Sequence, residues 1–180
     1  PMECRGVVAS YDEFDDRITL WSSTQMSNLV HGFLVRLLGC DENHIRVITP
    51  DVGGGFGPKF MFYPEEVVVT LAAKLVGRPV KWVEDRREHF IATSQERDQY
   101  WEVEIAVDDD AMIQGIRGIL IHDHGAYTAQ GLTLPFNAST TLPGPYKVPH
   151  YRLRALLVHT NKAPVTPVRG ASHPPGTFAM

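Results

Sequence analysis

The order of apolar and polar residues along this chain changes between a two-residue period, which is typical of strands, and a helical period. Alternating apolar positions flank the acidic turn Asp108–Asp110 and predict a hairpin, and a second hairpin is predicted across Asp12–Asp16. The predicted strands cover residues 5–10, 17–21, 45–48, 80–83, 99–107, 113–121 and 151–159. Residues 125–149 are rich in Thr, Pro and Gly and are expected to be irregular.

Apolar residues at helical spacing predict two main helices. The first covers residues 28–38 and is expected to end at Gly39, because glycine readily takes the left-handed conformation that closes a helix. The second begins at Pro64 and ends before Gly77, with proline suited to the first helical position. Hairpins combined with two helices indicate an α+β fold with mixed sheets. No internal repeat divides the chain, so we expect one partial domain over residues 1–180 without an internal boundary.

Composition narrows the class of protein. Seventeen Lys and Arg against 21 Asp and Glu give the 180 residues a net charge of −4, which gives no electrostatic case for a nucleic-acid partner. No apolar stretch reaches the roughly 18 residues of a membrane span. Cys4 and Cys40 do not make a disulfide framework and favour a reducing, cytoplasmic location. The ends at Pro1 and Met180 lead us to expect a piece of a longer protein.

The segment Gly53–Gly57 is the sharpest local feature, with four glycines between a predicted strand and a helix. Glycine permits positive φ and lets a ligand approach main-chain N–H groups. The residues that follow, Pro58 and Lys59, do not complete a P-loop, and the glycine spacing is wrong for a dinucleotide fingerprint. Ligand approach is the functional interpretation, and a tight turn that only shapes packing is the alternative.

Other candidate residues are weaker when taken alone. Gln25 ends a polar segment and could offer an amide to a ligand, although a solvated loop glutamine would look the same. Arg169 follows an extended segment restrained by proline and could be presented rigidly to a polar group, or could be an ordinary surface arginine. His122 and His124 share a strand face and suggest a zinc site, but no third or fourth ligand accompanies them.

Three motifs in one order carry a family resemblance. They are Trp21-Ser22-Ser23-Thr24-Gln25, then Asp51-Val52-Gly53-Gly54-Gly55-Phe56-Gly57-Pro58-Lys59, then Thr160-Asn161-Lys162 through Val168-Arg169-Gly170-Ala171. This set resembles the molybdenum-binding subunit of the xanthine dehydrogenase and aldehyde oxidase family, which includes aerobic carbon monoxide dehydrogenases and N-heterocycle hydroxylases. The resemblance covers essentially the whole chain and implies part of a molybdenum cofactor-binding domain.

The resemblance also implies site residues. The molybdenum is expected to be held by the dithiolene of a molybdopterin, in the cytosine dinucleotide form if the source is bacterial, with no direct metal ligand from this chain. The expected cofactor contacts are Gln25, Gly54, Gly55, Phe56 and Gly57. Arg169 is the expected catalytic residue, which orients substrate and stabilises developing negative charge. The family's catalytic glutamate, a general base, is expected outside this chain.

Departures from the family pattern bear on the substrate. Phe60 stands where xanthine oxidoreductases have a purine-binding glutamate, so Phe60 is a predicted substrate contact and xanthine is disfavoured. Gly170 stands where active carbon monoxide dehydrogenases have a cysteine, which disfavours carbon monoxide. Ser172 and His173 replace Gly and Arg of the usual family run and change the local backbone and charge.

These expectations combine into one functional hypothesis and two alternatives. The chain is predicted to be part of a molybdenum hydroxylase that oxidises an aldehyde or N-heteroaromatic C–H bond with water-derived oxygen. Electrons are expected to pass to 2Fe-2S clusters and FAD on partner domains or subunits, and the remainder of the molybdenum subunit is a further partner. The first alternative is a non-catalytic or degenerate fragment that acts as an assembly module, and the second is a zinc-binding domain that uses His122 and His124.

Overall fold

Two β-sheets organise the chain, and the computed structural model describes every residue from 1 to 180. The first sheet belongs to the compact unit formed by residues 1–92, and the second to the unit formed by residues 93–180. Each sheet pairs some strands in parallel and others antiparallel. The predicted α+β class with mixed sheets is therefore confirmed.

The first unit has a four-stranded sheet in the order β3-β2-β1-β4. Its elements are β1 (Gly6–Asp12), β2 (Arg17–Ser22), α1 (Ser27–Leu38), β3 (Ile45–Ile48), α2 (Pro64–Val76), β4 (Val80–Val83) and α3 (Arg86–Ala92). Strand β1 is antiparallel to β2 and β4, whereas β2 and β3 are parallel. The core lies between the sheet and the helices α1 and α2, where Leu20, Leu34 and Ala73 are fully buried.

The second unit has a three-stranded sheet in the order β5-β6-β7. Its elements are β5 (Gln99–Val107), β6 (Ile113–Gly125), α4 (Thr133–Thr141), β7 (His150–His159) and α5 (His173–Ala179). Strands β5 and β6 form the predicted antiparallel hairpin, and β7 adds in parallel to β6. Leu120 of the sheet and Leu134, Ala138 and Leu142 in and just after α4 are fully buried and form the core of this unit.

The predicted elements are present, four of them with the predicted bounds and the others with shifted ends, and three short α-helices were not predicted. Strand β6 continues four residues beyond its predicted end at 121, to Gly125. Helix α4 lies inside residues 125–149, which were expected to be irregular, so that expectation was wrong for 133–141. Its run of Thr and Pro weakens the local helix signal, while its packing against α5 stabilises it. None of the helices is both long and apolar enough to cross a membrane.

Candidate functional site

The glycine loop, Gly53–Gly57, lies between β3 and α2 and includes backbone conformations that residues with a side chain rarely adopt. Gly54 and Gly57 have φ values of 93° and 107°, and even Phe56 is held at 55°. Glycine adopts such angles without the steric cost that other residues carry. A non-glycine residue in this region persists only where its surroundings fix it, and Phe56 is therefore a strained position.

Gln25 lies directly against this loop. Its Oε1 accepts the Gly57 N–H at 3.0 Å, and its own N–H donates to the Lys59 carbonyl at 3.0 Å. A Cβ placed on Gly55 would overlap the Gln25 amide, so only glycine allows this approach. The Gln25 Nε2 and the Gly55 N–H make no hydrogen bond within the chain, and Gln25 is exposed. The chain thus leaves one side-chain donor and one main-chain donor of this site without a partner.

An ion pair between a buried lysine and an exposed carboxylate fixes another part of the loop. Lys59 is 1% exposed and binds the Glu3 carboxylate, which also accepts the Gly53 N–H at 2.9 Å. Burial alone would raise the pKa of Glu3, but the hydrogen bonds from Lys59 and Gly53 outweigh it and lower that pKa. Sequence reasoning did not single out Glu3 or Lys59, and a lysine soon after the glycines was the only available signal for Lys59.

Phe60 is half-buried at the end of this loop, where its N–H donates to the Gly57 carbonyl at 2.7 Å. Its side chain is apolar, so it offers a substrate only contact surface. The first unit therefore brings Gln25, the glycine loop and Phe60 together.

Arg169 belongs to the second unit, in a turn that covers residues 168–172. The turn holds three consecutive residues with positive φ: Gly170 at 105°, Ala171 at 44° and Ser172 at 68°. Arg97 donates a guanidinium hydrogen bond to the Arg169 carbonyl. The exposed Arg169 side chain therefore starts from a backbone that is fixed in an unusual conformation.

The histidine pair on β6 does not form a metal centre. His122 and His124 are almost fully buried, with ring centroids 5.9 Å apart. The His159 ring also lies beside His124, at 5.3 Å between centroids, but no three His, Cys or carboxylate ligand atoms here come within 4.8 Å of one another. Burial, reinforced by the neighbouring His124, lowers the pKa of His122 to about 4, so its ring is neutral near pH 7. Its Nδ1 lies 3.2 Å from the Gln99 amide nitrogen.

One other group of potential ligands, Cys4, Glu84 and His89, does converge, with ligand atoms within 4.8 Å of one another. However, Glu84 already binds the Arg5 guanidinium at 2.6 and 2.9 Å, the Arg5 N–H at 2.9 Å and the His89 ring at 2.7 Å. Burial opposes ionisation of Glu84, but these bonds outweigh it and lower its pKa to about 2. The arrangement is a buried ion pair that joins β1 to the end of β4.

Comparisons with known proteins agree with the motifs. The chain matches the molybdopterin cofactor-binding domain family over residues 1–180. It is 40% identical to the nicotine 6-hydroxylase large subunit of Paenarthrobacter nicotinovorans, over 99% of this chain and 22% of that relative. It is 37% identical to the carbon monoxide dehydrogenase large chain of Hydrogenophaga pseudoflava, over 91% of this chain and 21% of that relative.

A solved structure has the same fold. Quinoline 2-oxidoreductase from Pseudomonas putida 86 superposes with a TM-score of 0.93 at 36% identity, over 99% of this chain and 23% of that one. The chain thus spans about a fifth of the length of the relatives it matches. The resemblance inferred from the three ordered motifs is confirmed.

Proposed function

We propose a function from the premise that this chain belongs to the molybdopterin cofactor-binding domain family. The chain forms the part of a molybdenum hydroxylase that faces the cofactor, with Gln25 and the glycine loop as its contacts. The observation that carries the proposal is that the chain leaves two donors unused, Gln25 Nε2 and the Gly55 N–H, while Gln25 packs against Gly55 and its Oε1 accepts the Gly57 N–H.

The residues present fit an oxygen-rich, anionic group. A Cβ at Gly55 would fill the space that the Gln25 amide occupies, so the close approach depends on glycine. The amide is fixed by its own acceptor, which leaves its two N–H bonds for a ligand. Lys59 is neutralised by Glu3 and cannot serve as a competing counter-ion at the loop. The loop therefore offers hydrogen bonds rather than charge.

When bound, the molybdenum cofactor supplies two-electron oxidation of a C–H bond, with water as the source of oxygen and with release of two protons. This chain's residues bind and orient. Gln25 and the main chain of Gly54, Gly55, Phe56 and Gly57 hold the cofactor. Arg169 directs its guanidinium at the substrate, where an N–H donates to a heteroaromatic nitrogen or a carbonyl oxygen and the positive charge stabilises negative charge that develops there.

Phe60 and Gly170 favour an N-heteroaromatic or aldehyde substrate. The apolar Phe60 cannot hydrogen-bond a purine, and Gly170 has no thiol for the carbon monoxide chemistry. The names of two relatives, a nicotine hydroxylase and a quinoline oxidoreductase, support the N-heteroaromatic class. The base that activates water is proposed to lie outside this chain.

The rest of the assembly follows from the same premise. We assign the chain to one partial domain over residues 1–180, which the single family match across its length supports. The remaining partners are the rest of the molybdenum subunit and 2Fe-2S and FAD domains or subunits. The cytosine dinucleotide form of the cofactor and a cytoplasmic location complete the proposal.

The test uses the complete subunit, produced with cofactor-maturation proteins, and the variant Gln25→Glu. Glutamate keeps the acceptor for the Gly57 N–H but removes the amide donor and adds a negative charge. We expect stoichiometric molybdenum and pterin in the wild type, and a loss of turnover of about 100-fold or more in the variant. A wild-type subunit without molybdenum and pterin would overturn the enzyme reading and favour an assembly module.

A further inference from the structure

A buried carboxylate outside the recognised motifs holds the turn that carries Arg169. The side chain of Glu96 is 1% exposed. Its Oε2 accepts the Val168 N–H at 2.6 Å, and its Oε1 accepts the Ser172 N–H at 2.5 Å and the Ser172 hydroxyl at 3.2 Å. The Arg97 guanidinium donates to Oε2 at 2.7 Å. Each carboxylate oxygen is therefore committed to one end of the turn.

These contacts bracket Arg169 on both sides. The two amides that Glu96 accepts belong to residues 168 and 172, and Arg97 also donates to the Arg169 carbonyl. Hydrogen bonds thus hold the main chain at residue 168, at Arg169 itself and at residue 172. The Glu96–Arg97 pair makes all three contacts, and one residue separates it from the start of β5.

The turn needs such support because of its backbone. Gly170, Ala171 and Ser172 are consecutive residues with positive φ, which L-residues adopt only where their surroundings fix them. A Cβ on Gly170 would crowd the Pro174 ring, so the turn is also close-packed on its far side. Arg97 itself has a φ of 83°. Strain is present on both partners, and the charge-assisted bonds between them offset it.

We propose that Glu96, together with Arg97, is a positioning residue that sets the direction in which Arg169 meets the substrate. This inference rests on the proposed role of Arg169 in substrate binding. The carboxylate form is required, because an amide at residue 96 would turn an NH₂ group toward either the Val168 or the Ser172 N–H. A turn released at one end would let the guanidinium move by the ångström or so that degrades catalysis.

The experiment compares Glu96→Gln and Arg169→Lys, singly and together, in the complete cofactor-loaded enzyme. The matched control is Glu104→Gln, since Glu104 is an exposed carboxylate of the same unit that pairs with Arg117 at 2.5 Å. Turnover is followed with whichever of nicotine, quinoline and benzaldehyde the wild type oxidises fastest. Amide hydrogen exchange of the peptide around Val168 and Ser172 gives a readout that does not depend on the cofactor.

We expect exchange at these two amides to rise at least about tenfold in Glu96→Gln, and kcat/KM to fall about 10- to 100-fold. Molybdenum content should stay at the wild-type level. The loss of kcat/KM should divide between kcat and KM in the same proportion in Glu96→Gln as in Arg169→Lys. The kcat/KM of the double variant should be no lower than that of the more impaired single variant. Glu104→Gln should match the wild type in all readouts.

Contrary outcomes separate the inference from the function on which it rests. Normal turnover in Arg169→Lys overturns the role of Arg169 and the inference with it. If Arg169→Lys reduces turnover but Glu96→Gln has normal turnover or normal amide exchange, only the inference about Glu96 is overturned. Fully additive effects of the two substitutions on kcat/KM would overturn it as well. If Glu96→Gln does not fold, Arg97→Lys takes its place, because lysine cannot hold the Glu96 carboxylate and the Arg169 carbonyl with one fork.

Discussion

Replacing Gly55 by alanine should weaken cofactor retention by moving the Gln25 amide. Gly55 is not among the loop residues with positive φ, so its backbone accepts alanine. The new methyl group would lie 2.9 Å from the Gln25 Cδ and still closer to its Oε1. The amide must therefore turn away, and its 3.0 Å bond to the Gly57 N–H is lost.

The magnitude combines two costs. The lost hydrogen bond contributes about 0.5–1.5 kcal/mol, and crowding in a close-packed site adds about 1–3 kcal/mol. A ligand that needs Gln25 in its original place must meet this cost on binding. A sum of about 1.5–4.5 kcal/mol corresponds to roughly 10- to 2,000-fold weaker retention.

The assay measures molybdenum per subunit by inductively coupled plasma mass spectrometry on the purified complete subunit, together with turnover. Gly32→Ala is the control, because a Cβ there meets nothing within 4 Å and alanine suits the interior of α1. We expect molybdenum and turnover to fall in Gly55→Ala and to be unchanged in Gly32→Ala. Equal molybdenum in the two variants would refute the proposed contact between Gln25 and the cofactor.

Three further predictions concern buried ionisable groups. Burial raises the pKa of Glu66 to about 7 from its ordinary 4.5, so the folded chain loses stability as the pH rises from about 4.5 to about 7. Glu66→Gln should reduce the difference in unfolding free energy between pH 5 and pH 7.5, as measured by urea unfolding. An unchanged difference would contradict the shifted pKa. Glu84→Gln should lower the free energy of unfolding by about 3–5 kcal/mol at neutral pH, because Arg5 loses its main partner. A loss below about 1 kcal/mol in urea unfolding would count against the ion pair. The His122 ring should stay neutral down to about pH 5 in an NMR titration, and protonation near pH 6.5 would show that it is not desolvated.

Local signals made the first unit the more predictable part of the fold. Helix α2 has proline at its first position and ends at Gly77 in the left-handed conformation, so both ends were visible in the sequence. Helix α4 was missed because Pro135 and several Thr residues mask its apolar face. Leu134 and Ala138 of α4 and Leu142 just after it are fully buried, but three residues spaced by four give a weak periodic signal.

The site was predictable only where a motif carried it. The glycine loop and Gln25 were found through ordered motifs, but the bond between them joins residues 32 positions apart and no local pattern encodes it. Glu96 had no motif at all, since its partners in the turn lie 72 and 76 residues later. Glu3 was hidden for the same reason, because its partner Lys59 is 56 residues away. Such long-range hydrogen bonds and ion pairs depend on the fold rather than on the neighbouring sequence.

The most direct test of the central claim is anomalous X-ray scattering at the molybdenum edge from crystals of the complete, cofactor-loaded subunit. We expect one strong peak within about 5 Å of Gln25 Nε2, which is the sum of a hydrogen bond and one metal–ligand bond. A molybdenum peak elsewhere in the subunit, away from Gln25 and the glycine loop, would contradict the account.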